Sequence, residues 1–133
     1  MQINMKIIEH EGIKYPLIID LNSMEDFQKS FFAETGKSIT ENESFENFGL
    51  TAGILQFQAA LNEGIDYENQ KKGINREPIS KREAGRIMSE IGMEKVSSVI
   101  TELTKEFNGK NVKPAAESIQ AQNTQTTPPA GKA

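Results

Sequence analysis

The most constraining feature of the chain is the stretch Ser80 to Gly109, SKREAGRIMSEIGMEKVSSVITELTKEFNG. Ala84, Ile87, Met88 and Ile91 fall at i, i+3, i+4 and i+7, and after Gly92 the pattern resumes with Val96, Val99, Ile100, Leu103 and Phe107. Such spacing lines one side of a helix with apolar groups and leaves Lys, Arg and Glu on the other. Ser80 and Glu83 have the S-x-x-E form of a capping box, with Pro78 just before it. Gly92 suits the left-handed conformation that closes one helix and lets the next start at a new angle. Asn108-Gly109 is the expected end of the second helix. These helices carry no recognisable chemistry; their apolar stripes are made to pack, on the chain itself or on a partner.

The rest of the chain reads around them. Residues 3–20 suggest a β-hairpin: Ile13, Tyr15, Leu17 and Ile19 alternate with Lys14, Pro16, Ile18 and Asp20, and Met5, Ile7 and Ile8 begin the partner strand. His10-Glu11-Gly12 supplies the turn, and Pro16, which has no N–H, predicts a free strand edge. A helix capped by Asn22 or Ser23 follows, with Met24, Phe27 and Phe31 on one stripe, Phe32 widening it and Gly36 ending it. Residues 37–47 read as a polar loop anchored by Phe45 and Phe48. A third helix is expected over about 48–62, with Leu50, Ile54, Phe57 and Leu61 on one face, Leu55 and Ala59 flanking it, and Gly64 as its terminator. Residues 65–78 then form a polar connection with room for a short turn or strand. From Lys110 onward Gln, Thr, Ala and Pro dominate, a composition that buries too little to offset its ordering entropy. The expected architecture is mainly α: an N-terminal hairpin and four or so helices in one domain over 1–109, then a disordered tail over 110–133.

Composition narrows the function. The formal net charge of −4 opposes non-specific nucleic-acid binding, and the absence of cysteine excludes disulfides, thiolate metal sites and cysteine nucleophiles. No apolar run reaches membrane-spanning length and the N-terminus lacks a signal pattern, so a soluble cytoplasmic protein is expected. His10, the only histidine, sits at a turn tip, and Glu41, Glu43 and Glu46 read as a solvated loop rather than a cation site. No phosphate-cradling glycine pattern occurs. We therefore expect no enzyme, cofactor or metal. The basic group Lys71, Lys72, Arg76, Lys81, Arg82 and Arg86 raises a helix-turn-helix regulator as an alternative. Against it, the residues after Gly92 are Met93-Glu94-Lys95-Val96, and Glu77, Glu83, Glu90 and Glu94 dilute the charge. The candidate partner-binding residues are Phe31 and Phe32, on and beside the apolar stripe of the first helix, and Val96, Val99, Ile100 and Leu103, whose stripe is broad enough to meet a core and a second surface. Val99 and Ile100 differ in direction by about 100°, so one should face the core and the other a partner.

Three segments together carry a resemblance: K-I-x-x-x-G-I-K-Y-x-L over Lys6–Leu17, I-L-x-F-x-x-A-L over Ile54–Leu61, and I-S-K-R-E-A-G-R-I-M-S-E-I-G-M-E-K-V-x-x-V-I-x-E-L over Ile79–Leu103. In this order they resemble the tail assembly chaperones of long-tailed bacteriophages that infect Gram-positive hosts. The resemblance covers about residues 3–107, and its most telling part is S-x-x-E-A-x-x-I-x-x-E-I-G-x-E-x-V from Ser80 to Val96. It implies a mainly helical homo-oligomer in the host cytoplasm, absent from the mature virion. Such a protein binds the tape measure protein, keeps it soluble and assists the tail tube protein in assembling around it. It also implies a longer frameshifted form of the chain as a further partner. A small head–tail connector protein of the virion is another alternative. The connection at 65–78 looks long for the family pattern.

Overall fold

The computed structural model describes residues 4–38 and 49–111. The chain divides into two units, Met1–Leu103 and Thr104–Ala133, and each is described by itself. Two strands, β1 (Met5–His10) and β2 (Ile13–Ile18), precede four helices among the described residues: α1 (Leu21–Thr35), α2 (Gly49–Lys72), α3 (Lys81–Ile91) and α4 (Met93–Asn111). The expected mainly α architecture with an N-terminal hairpin is the one observed.

The hairpin turns on two residues. Glu11 and Gly12 both have positive φ, 51° and 81°, which is the type I′ geometry that follows strand twist. Pairing then runs from His10↔Ile13 to Met5↔Ile18. A two-residue loop makes His10↔Ile13 a hydrogen-bonded pair, so Ile8↔Tyr15 and Lys6↔Leu17 are bonded and Ile7↔Pro16 is not. Proline therefore sits where the ladder needs no donor, and its carbonyl points away from β1. The alternation anticipated along β2 does not appear in its burial: Ile13 and Lys14 are both exposed, whereas Pro16, Leu17, Ile18 and Ile19 are all buried.

That burial comes from α2, which is in contact with β2, α1 and α3. At 24 residues it is the longest element, about 36 Å at helical rise. It buries two opposite sides. Ala52, Leu55 and Ala59 form a cluster with Phe27 and Phe31 of α1, whose rings meet edge-on at 6.3 Å. Phe57, Ala60, Leu61, Gly64 and Ile65 are buried on the other side. The single face through Leu50 and Ile54 is not what forms: Leu50 is exposed and Ile54 half-buried.

Gly64 does not end the helix. A Cβ there would lie 2.1 Å from the Pro16 carbonyl oxygen and 3.1 Å from Pro16 Cβ, so the two backbones touch at this point. The strand edge expected to be free at Pro16 is therefore covered by α2 at that residue. The helix runs on to Lys72, and Gly73, at φ 67°, marks its end.

The connection 73–80 is correspondingly short, and side chains of α2 hold it in place. Asn62 donates to the Ile79 carbonyl at 3.0 Å and accepts from the Ile79 N–H at 2.7 Å. Asn69 makes the same pair with Arg76, 3.0 Å each way. Gln58 also donates to the Ile79 carbonyl, at 3.0 Å. The spacing explains itself. Seven helical residues and three extended residues both span about 10 Å. The connection thus runs back along α2 and delivers Ser80 to the start of α3.

Helix ends differ in detail from expectation. The cap of α1 is Asp20, not Asn22 or Ser23: its carboxylate accepts from the Ser23 N–H at 2.9 Å, while the buried Ser23 hydroxyl accepts from the Asp20 N–H at 3.0 Å. Gly36 closes α1 with φ 73°. Ser80 caps α3 by accepting from the Glu83 N–H at 3.1 Å. Gly92 joins α3 to α4 with φ 109° and ψ 127°, outside the left-handed helical region. The second helix passes Asn108-Gly109 and continues to Asn111. The remainder of the expected tail, and most of the polar loop with Phe45 and Phe48, lie outside the described residues.

The Gly64 contact generates a direct prediction. Gly64→Ala forces two backbones apart and should cost on the order of 3 kcal/mol, the upper end for overpacking. Urea unfolding of the parent and the variant measures this. Equal midpoints would mean that α2 does not rest on β2 at this residue.

Candidate functional site

The six residues proposed from sequence to meet a partner separate by exposure. Phe31, Val96, Ile100 and Leu103 are buried within the fold, Phe31 and Leu103 completely. Phe32 is 60% exposed, and Val99 is half-buried. Phe32 and Val99 are therefore the two members of the set with surface to offer. The other four support it from beneath: Phe31 packs on Ala52, Leu55 and Ala59, and Ile100 turns inward where Val99 turns out. Helical geometry explains the split, since adjacent residues point about 100° apart. Further large apolar side chains reach solvent at Ile7, Ile13, Leu21, Leu50, Ile74 and Met93.

Along α3 the described residues form a groove with concentrated positive charge. Lys81, Arg82, Gly85, Arg86 and Ser89 line a groove of about 450 Å³ together with Ile54 of α2. Lys81 is paired with Glu34 of α1. The other members of the basic group lie elsewhere: Lys72 and Arg76 both pair with Glu68, at 3.7 and 3.4 Å. Lys71 lies 5.6 Å from the centre of the Tyr67 ring. The sequence run of cations is thus split between the end of α2 with its connection and the exposed face of α3.

Two groups of ionisable residues come together that sequence spacing did not reveal. His10, Glu11 and Glu90 bring one ligand atom each within 4.8 Å of one another, with His10 Nε2 and a Glu11 carboxylate oxygen 3.6 Å apart. The two glutamates are exposed, and the arrangement is that of a surface charge cluster. The Tyr15 hydroxyl is raised in pKa, first by desolvation and then by Glu90, Glu83 and Glu11, with Arg76 opposing. The second group joins α1 to α2. Glu63 is pushed up to about 7, first by burial, then by its hydrogen bond to Asp20 and the charge on that residue. Asn22, which donates to Glu63 at 3.4 Å, works in the other direction. The cap of α1 thus lies against a glutamate about four turns into α2 and favours its protonated form. Glu41, Glu43 and Glu46 lie outside the described residues.

Among the described residues no helix is long and apolar enough to cross a membrane. No protein-family model, curated protein or solved structure matches the chain.

Glu63 makes the stability depend on pH with a fixed sign. Its folded-state pKa is raised, so folding favours the protonated form. The contribution is complete below about 4.5 and is lost as pH rises through about 7. Glu63→Gln keeps a donor and has no proton to lose. Its thermal midpoint should match the parent near pH 5 and exceed it at pH 8. Midpoints that run in parallel across this range would show that Glu63 ionises as an ordinary surface carboxylate.

Proposed function

We propose that the protein is a tail assembly chaperone of a long-tailed bacteriophage, binding the tape measure protein and keeping it soluble while the tail tube assembles. The observation that carries this reading is the pattern S-x-x-E-A-x-x-I-x-x-E-I-G-x-E-x-V over Ser80–Val96. It occupies α3, the Gly92 joint and the first turn of α4. Its apolar members Ala84, Ile87 and Val96 are buried, and Ile91 is half-buried. The pattern therefore describes how one helix is set against the next.

The surface supports a holding role. A chaperone of this type needs apolar groups open to a client and a fold that stays intact without them. Phe32, Leu50 and Met93 are each more than half exposed, while the residues beneath Phe32 form a closed cluster with α2. A client helix would be taken by such side chains at helical intervals. With the strand edge at Pro16 covered, assembly into several copies would rest on these apolar side chains instead. The longer frameshifted form and the tail tube protein remain the expected further partners, in the host cytoplasm. The helix-turn-helix alternative has less behind it. The helix after the joint opens with exposed Met93, Glu94 and Lys95, of which Glu94 would face phosphate.

Co-expression with a tape measure fragment tests the proposal. Phe32→Asp and Val99→Asp should fold, by circular dichroism, yet leave the fragment insoluble. Ile100→Asp buries an unpaired charge and should unfold the domain, at a cost of several kcal/mol, on the order of 3–5. If the unmodified protein solubilises no such fragment, the chaperone function is wrong. If it does, and both surface variants still do, the client binds elsewhere on the chain.

A further inference from the structure

We propose that the groove between α2 and the exposed face of α3 is a docking site for an acidic amphipathic helix of a partner polypeptide. This does not rest on the tail-chaperone reading. Lys81, Arg82, Gly85, Arg86 and Ser89 lie at i, i+1, i+4, i+5 and i+8, one face of α3, opposite the buried Ala84, Ile87 and Met88. Three cations stand on this face in a chain whose net charge is −4. Lys81 is held by Glu34, but among the described residues neither Arg82 nor Arg86 has a carboxylate partner. They are one helical turn apart, about 6 Å along the surface, the separation of two carboxylates at i and i+4 on a facing helix. Each guanidinium is suited to a bidentate bond with such a carboxylate.

The floor of the groove is apolar. Ile54 of α2 is half-buried there, beside Gly85. A Cβ on Gly85 would meet only the Ile54 Cδ1, at an ordinary 3.9 Å. Packing therefore does not require glycine, and glycine is a poorer helix former than alanine. Its effect is to keep space open between two arginines and an isoleucine. That space takes one apolar side chain flanked by acids. A nucleic-acid backbone offers the charge but has nothing apolar to cover Ile54.

Fluorescence anisotropy with the full chain tests this. The probe is a labelled 16-residue helical peptide with glutamates one turn apart flanking leucines. Its glutamine counterpart and a labelled DNA duplex serve as comparisons. The glutamate peptide should bind saturably with a dissociation constant of about 10–100 μM at low salt. The double change Arg82→Glu with Arg86→Glu should weaken it at least about tenfold, and Gly85→Leu, which fills the groove without touching charge, should weaken it similarly. Gly85→Ala fits the available space and should bind like the parent, and circular dichroism should be unchanged for all. The proposal is overturned by no saturable binding up to about 1 mM, by equal affinity for the glutamine peptide, or by unchanged affinity in the charge and leucine variants. Tighter binding of the duplex would instead make the surface a nucleic-acid site. A gain in peptide affinity on changing Glu41, Glu43 and Glu46 to Gln would assign the groove to the chain's own acids, and would equally overturn the proposal.

Discussion

The contact between Gly64 and Pro16 is the constraint on which the arrangement of the first unit depends. A two-stranded hairpin is marginal in water, and it leaves the outer edge of each strand open. Proline at a non-bonded ladder position removes the donor there, and a glycine on α2 lets a helix backbone lie against the remaining carbonyl. Neither residue suffices alone. With a side chain at 64 the helix could not approach, and with another residue at 16 the edge would present a buried N–H without a partner. Once α2 is seated, one of its sides takes up Phe27 and Phe31 of α1. The other side is buried where the hairpin and α3 meet it.

The same helix also sets where α3 begins. Asn62 and Asn69 offer amide groups that imitate a neighbouring strand, each satisfying the N–H and C=O of one residue in the connection. Backbone groups that would otherwise have to find water are bonded, and Ser80 arrives in place to cap α3. The orientation of α3 fixes both of its faces. Ala84, Ile87 and Met88 turn inward, and Lys81, Arg82 and Arg86 stand outward along the groove floored by Ile54. The proposed docking surface is thus a consequence of how the connection is tied down.

Periodicity made α1, α3 and the start of α4 legible, because each buries a single face and so shows a single period; the hairpin was legible from its turn residues, although consecutive residues of β2 are buried. At α2 periodicity found the helix but not its faces or its end, because two opposite faces are buried and the apolar residues follow no one stripe. Gly64 added to the error: from sequence a glycine in a polar neighbourhood reads as a stop, whereas its use here is close approach, which only a tertiary contact reveals. The two asparagines at a spacing of seven, followed by an extended segment before Pro78, were a signal of sorts, since the residue before proline avoids helix. Their partners could not be read without the path of the chain. Of the candidate partner residues, the split between Val99 and Ile100 was foreseeable in principle but not in sign. The approach of Glu63 to Asp20, 43 positions away, left no local trace.

The central claim is that the hairpin is held by α2 and does not stand alone. Native-state hydrogen exchange tests it directly, because it reads the opening free energy of individual amides. The account predicts that the bonded hairpin amides, those of Ile8, Tyr15 and Leu17 among them, exchange only with the global opening that also releases the buried amides around Leu61 and Ile65 of α2. Hairpin amides that exchange through a separate opening of far lower free energy, while α2 stays protected, would contradict it.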